Sequence, residues 1–201
     1  LGAAQELFRE QGINGTGMDQ LCAVAQVSKR TAYQHFGSKD ELIAEYLRRL
    51  DPDTMPEVFE RADLTPRERL LAVFEESLGL TNDVTPLCPF IAAAVEIADP
   101  EHPARELARE YKRSVAARLA ETAREAGAAD PELLGEQLAL LLDGASAHGR
   151  TRGNNAAPTA AAIAATLIDL AIPETAPPRP QPSQRQGSRR RSAPPAVASA
   201  R

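Results

Sequence analysis

The chain has 201 residues, 43% hydrophobic and 25% charged, with a formal net charge of −5. That length allows one or two domains with a real core, and no run of about 18 apolar residues is present to cross a membrane. Two cysteines, Cys22 and Cys88, cannot build a disulfide framework and fit a reducing, cytoplasmic setting.

The charge is unevenly spread. Residues 1–50 are net zero, residues 51–172 carry −10 and residues 173–201 carry +5. An acidic body repels a polyanion, so nucleic-acid contact is expected only at the N-terminal unit or the tail. No signal peptide is visible, and the chain opens on Leu1 rather than Met, so residues upstream of it are expected.

Apolar residues recur at three- and four-residue spacing throughout, with no clean alternation, which predicts an all-α protein. The first helix runs to Glu10 or Gln11 with Ala4, Leu7 and Phe8 inward, and Gly12 closes it. The second covers about Met18 to Ala25, burying Met18, Leu21, Cys22 and Ala25. Ser28 is placed to cap a third helix, Lys29 to Phe36, and Ser38 a fourth from Lys39 to about Leu50. The third helix carries Lys29, Arg30, Thr31, Tyr33, Gln34 and His35 and no acid, which suits contact with phosphates and base edges.

Pro52 and Pro56 mark a boundary. Beyond them the spacing predicts five helices: from Pro66 with Leu70, Leu71, Phe74 and Leu78 on one face; Phe90 to Ala98; Ala104 to Ala126; 131–149 behind an Asp130 cap; and about Pro158 to Leu170. The 131–149 helix is apolar on two sides, Leu134, Leu138, Leu141 and Ala145 on one and Leu133, Leu140 and Gly144 on the other. Two such faces need two partner surfaces. From Pro173 the chain turns rich in Pro and Arg, with too few apolar residues for a core, and disorder is expected. That tail either adds nonspecific phosphate attraction or has no role.

The short turn between the second and third helices is the spacing of a helix-turn-helix, whose second helix presents its N-terminal residues to the major groove. The run T-G-x-x-x-L-C-x-x-A-Q-V-S-x-R-T-x-Y-x-H-F-G-S-K, residues 16–39, and the LGAAQELFREQGINGTG before it resemble the N-terminal domain of TetR-family transcriptional regulators. The resemblance implies a three-helix DNA-binding domain over 1–48, a helical regulatory and dimerisation domain over 49–172, and leaves 173–201 as the tail. It also implies roles. Thr16 and the N–H groups opening the second helix would hold a phosphate. Lys29, Arg30 and Thr31 would face base edges, Arg30 as the candidate for a bidentate guanine contact. Tyr33, His35 and Lys39 would touch phosphates, and Gln34 a base or the backbone. Val27 and Phe36 would be core. Gln26 stands where the family usually has Gly, which asks a non-glycine to take a positive φ.

For the body, the resemblance implies that the last two helices pair in a four-helix homodimer bundle, with Leu134, Leu138, Leu141, Ala145, Ile163, Leu167 and Leu170 at the interface. It implies a near-palindromic double-stranded DNA operator as partner. The remaining helices would enclose a pocket for an unidentified small-molecule effector, with candidate lining Phe59, Phe74, Leu78, Cys88, Phe90, Val95, Tyr111 and Val115. For each of these plain core packing is the competing expectation. The function expected is that of a cytoplasmic repressor released by its effector. The alternative is a regulator controlled by a protein partner or by oxidation of Cys88, a thiol between Pro86 and Pro89 with no basic residue close in sequence. An enzyme is not expected: there is no glycine-rich phosphate loop and no nucleophile elbow. No cofactor or metal is expected either, because His35, His102 and His148 lack ligand spacing.

Overall fold

The structure, a computed structural model, describes residues 1–51, 53–79 and 82–172. They form α1 (Gly2–Gln11), α2 (Met18–Ala25), α3 (Lys29–Phe36), α4 (Lys39–Leu50), α5 (Pro56–Phe59), α6 (Pro66–Leu78), α7 (Pro89–Glu96), α8 (Pro103–Glu125), α9 (Pro131–Arg152) and α10 (Ala157–Ala171). The chain is all-α over these residues, and the expected tail lies outside them.

The caps explain the boundaries. Ser28 Oγ accepts the Thr31 N–H and Ser38 Oγ accepts the Glu41 N–H, both at 3.0 Å, so α3 and α4 start where hydroxyls satisfy open amides. Thr65 and Glu68 form a reciprocal capping box at α6. The short α5 was hidden in sequence because Pro56 reads as a breaker; it instead occupies the first turn, where a missing N–H costs nothing. The helix expected to reach Ala98 stops at Glu96, with Ile97 already extended ahead of Asp99-Pro100. The Arg105 guanidinium donates to the freed Ile97 carbonyl at 3.2 Å.

Two apolar clusters hold the helices. The larger joins α5, α6, α8, α9 and α10 through Val58, Leu70, Phe74, Leu119, Leu134, Leu138 and Ile168. At the crossing of α8 and α9 a Cβ on Gly135 would stand 2.7 Å from the Ala120 nitrogen, so only glycine permits this approach. The second cluster joins α1, α2 and α4 to α7 and the start of α8, through Leu7, Phe8, Leu21, Ile43, Leu47, Phe90, Ile97 and Ala108. The core of the N-terminal helices is therefore completed by the body, and Tyr111 packs against both clusters.

The turn between α2 and α3 is made by Gln26 at φ 53°, ψ 41°. An L-residue there costs about 1–2 kcal/mol, part of which glycine returns through its looser unfolded chain. Gln26→Gly is expected to raise stability by about 1 kcal/mol, read from urea unfolding midpoints; a loss of stability would mean that the Gln side chain holds the turn.

Candidate nucleic-acid interface

α3 is anchored by Ala32, which is buried, and by half-buried Phe36 one turn on. Lys29, Arg30, Tyr33 and Gln34 are exposed, and at about 100° per residue they span roughly 140° of the helix circumference. This outward arc carries two cations, a phenol and an amide without an acid. Arg30 makes no ion pair among the described residues, whereas Lys29 Nζ lies 2.5 Å from Asp19 of α2. Thr31 is half-buried, and its hydroxyl is 2.8 Å from that of Ser28. His35 is exposed on another flank, lining a shallow cleft with Glu41, Glu45, Arg48 and Arg49. There Arg48 and Arg49 both pair with Glu45, so the two acids of that flank are matched by two cations.

Two placements, those of Thr16 and Val27, depart from the sequence reading, and Lys39 gains a structural contact. Thr16 is fully buried: its hydroxyl donates to the Gly12 carbonyl at 2.7 Å and accepts from Gln11 Nε2 at 3.3 Å. Its side chain thus ties the α1–α2 turn together and is closed to a phosphate, while the N–H groups opening α2 are unaffected by this burial. Lys39 is half-buried and donates to the Ile13 carbonyl at 2.8 Å, bracing the same turn with one of its three N–H donors. Val27, expected in the core, is 41% exposed and borders an apolar cleft with Met18, Leu21, Ala32 and Phe36.

The body grips this unit at three points. Asn14 donates from its backbone N–H to Glu96 Oε2 at 3.0 Å and from Nδ2 to the Glu96 carbonyl at 2.7 Å. His102 Nδ1 accepts the Ala104 N–H, capping α8, and its Nε2 faces Asp40 of α4 at 3.4 Å. The Tyr111 hydroxyl donates to Asp51 Oδ2 at 2.8 Å, and the Asp51 carboxylate accepts the Met55 N–H. Burial, and then the Asp51 contact, push the Tyr111 phenol well above its ordinary pKa, so it stays a donor. No sequence signal pointed to Asn14, Glu96 or Asp19, whose partners lie on other elements.

Residues 1–46 match the family described as bacterial regulatory proteins, tetR family. A 75-residue stretch is 39% identical to the transcriptional activator FasR of Mycolicibacterium smegmatis, covering 36% of this chain but only 34% of that protein. The transcriptional regulator LmrA of Bacillus subtilis is 30% identical over 141 residues, 65% of this chain and 72% of its own length. A solved structure described as a TetR transcriptional regulator from Streptomyces avermitilis is 36% identical, with TM-score 0.72, covering 85% of this chain and 94% of that one. The chain belongs to the TetR family. It is a DNA-binding transcriptional regulator of the helix-turn-helix kind, and a TetR-family regulator from Streptomyces coelicolor, 26% identical over 86% of this chain and 93% of that one, superposes with TM-score 0.76. Among the described residues no helix is long and apolar enough to cross a membrane.

In this TetR-family chain the two apolar sides of α9 are sorted by packing. Leu134, Leu138 and Ala145, expected at a dimer interface, are buried in the chain's own core, and Leu141 is packed against it. They belong to the inner face because Gly135 beside them lets α8 close in. The outer face is Leu133, Leu140, Gly144 and Ala147, all exposed, Leu140 by 75%. On α10, Ile163 and Leu170 are exposed as well, Leu170 by 80%, while Leu167 is half-buried.

The eight residues expected to line a pocket do not converge in this TetR-family body. Phe59, Phe74, Leu78 and Val115 are buried in the larger cluster, and Phe90 in the other. Val95 is 77% exposed on the outer side of α7, which removes it from any lining. Cys88 is half-buried against the second cluster, and its backbone N–H donates to Ser146 Oγ at 2.7 Å. Phe90 and Tyr111 stack with ring centroids 3.7 Å apart, filling each other's apolar space.

Proposed function

We propose that the protein is a repressor that acts as a homodimer, holding two copies of α3 in successive major grooves of a near-palindromic operator in the cytoplasm. The observation that carries the DNA reading is the outward, acid-free arc of α3, capped by Ser28 and seated on Ala32. Within it Lys29 and Arg30 lie in the first turn, the part of a recognition helix that meets base edges. Arg30 carries the planar fork that matches the two acceptors of guanine. The dimer reading rests on the outer face of α9 and α10, where Leu140 and Leu170 stand in water in the single chain. Arg30→Ala is expected to lose about 1–3 kcal/mol of operator affinity and to relax specificity at one base pair of each half-site. Competition binding against single-base operator variants checks this; an unchanged preference at every position would refute base reading by Arg30.

Release by a small molecule has one handle among the residues expected to line a pocket. An effector that parts Phe90 from Tyr111 strains the hydrogen bond to Asp51 and so acts on the C-terminal end of α4. It shifts DNA binding only by its differential affinity for the two arrangements, a few kcal/mol for a useful switch. The filled aromatic stack also favours a second reading, in which a protein partner or oxidation of Cys88, beside the second cluster, drives release. Loss of operator binding in mild peroxide that Cys88→Ser abolishes selects the oxidation route; release by a small molecule without oxidant selects the first.

A further inference from the structure

Asp19, in the first turn of α2, crosses to the first residue of α3. Its Oδ1 lies 2.5 Å from Lys29 Nζ, and the two side chains stay 78% and 55% exposed. An exposed pair of this kind adds little to folding. Its place matters more than its strength, because Lys29 is one of only two cations on the DNA-facing arc and Arg30, the other, has no acidic partner among the described residues. Binding to random duplex is driven by cations that displace counterions from phosphates. A lysine whose charge is already matched contributes little to that term. Against a complementary base edge, the flexible Lys29 stem has acceptors to trade its carboxylate for.

We infer that Asp19 is a specificity-determining residue of this interface. It withholds the Lys29 ammonium from random phosphates and yields it where a matched operator edge competes for it. The inference rests on α3 being the reading helix. It is independent of the ligand and of the sign of regulation.

The test is a set of salt titrations with the full chain, its Asp19→Asn, its Lys29→Met and the double variant, on a selected operator duplex and on a random duplex of equal length. Asn keeps the size of Asp19 and Met the stem of Lys29, and both positions are exposed, so thermal unfolding checks that the fold is kept. Asp19→Asn is expected to tighten random-duplex binding several-fold and to steepen its log–log salt slope by about 0.9 for each phosphate gained per protomer. Operator binding should tighten less, so the operator-to-random ratio falls. The double variant should lose the whole gain. If Asp19→Asn changes nothing while Lys29→Met weakens binding, or if the gain survives in the double variant, the inference is wrong and α3 remains the reader. If Lys29→Met leaves both duplexes unaffected, the reading of this arc fails and the inference with it.

Discussion

Replacing Leu140 with Glu is expected to turn the proposed homodimer into a monomer without unfolding the chain. Leu140 is 75% exposed and shares the outer face of α9 with Leu133, Gly144 and Ala147, spaced so that all four fall within about 60° of arc. Ile163 and Leu170 extend the apolar surface onto α10. Two helices of one copy against two of another bury such a face, and a two-fold axis gives each substitution twice. Each carboxylate buried there without a partner costs about 3–5 kcal/mol, so the two in a dimer together cost about 6–10 kcal/mol, which at 1.4 kcal/mol per decade weakens association by roughly four to seven orders of magnitude. Sedimentation velocity at micromolar concentration reads the state directly, and operator affinity should collapse with it, since a single half-site loses the linked second contact. A variant that stays dimeric with normal affinity would place the interface elsewhere.

The second large effect is expected at Phe74. It is fully buried in the larger cluster with Leu70, Val115, Leu119 and Leu138. Phe74→Ala removes that contact and leaves a void the helices only partly refill, at about 3–5 kcal/mol. For a chain of this size the thermal midpoint should fall on the order of 10 °C. Because α8 places Leu119 in this cluster and Ala104 and Ala108 in the one beneath the DNA-binding helices, a single transition is expected rather than two. Calorimetry checks both points. A loss below about 1 kcal/mol would mean that the ring already borders empty space, which would revive a ligand cavity beneath α6.

The N-terminal unit was legible because its boundaries are chemical. Ser28, Ser38 and Gly12 sit at helix ends for reasons of hydrogen bonding and backbone freedom, and each does so in the structure. Gln26 took the left-handed conformation its place in the turn required. The body was legible as helices but not as faces. Periodicity shows that α9 has two apolar sides but carries no sign of which one meets the chain's own α8; packing assigns that role to the side with Leu134, Leu138 and Ala145. Gly135 was the available clue, since a glycine within a helix often marks a close crossing. The residues expected to line a pocket are large and mostly apolar, a property that core and cavity share, and packing places most of them in the core. Contacts made by exposed polar residues across elements, Asp19 to Lys29 and Asn14 to Glu96, leave no mark on local pattern.

The central claim is that α3 reads DNA twice, once from each protomer. Selection of bound duplexes from a random pool tests it most directly. The account predicts enrichment of a near-palindrome whose half-sites repeat about 10–10.5 base pairs apart, or a multiple of that. It further predicts that the Arg30→Ala protein loses preference at one symmetric pair of positions. Enrichment of a lone, unrepeated site, or of the same sequence with undiminished preference by the Arg30→Ala protein, would contradict it.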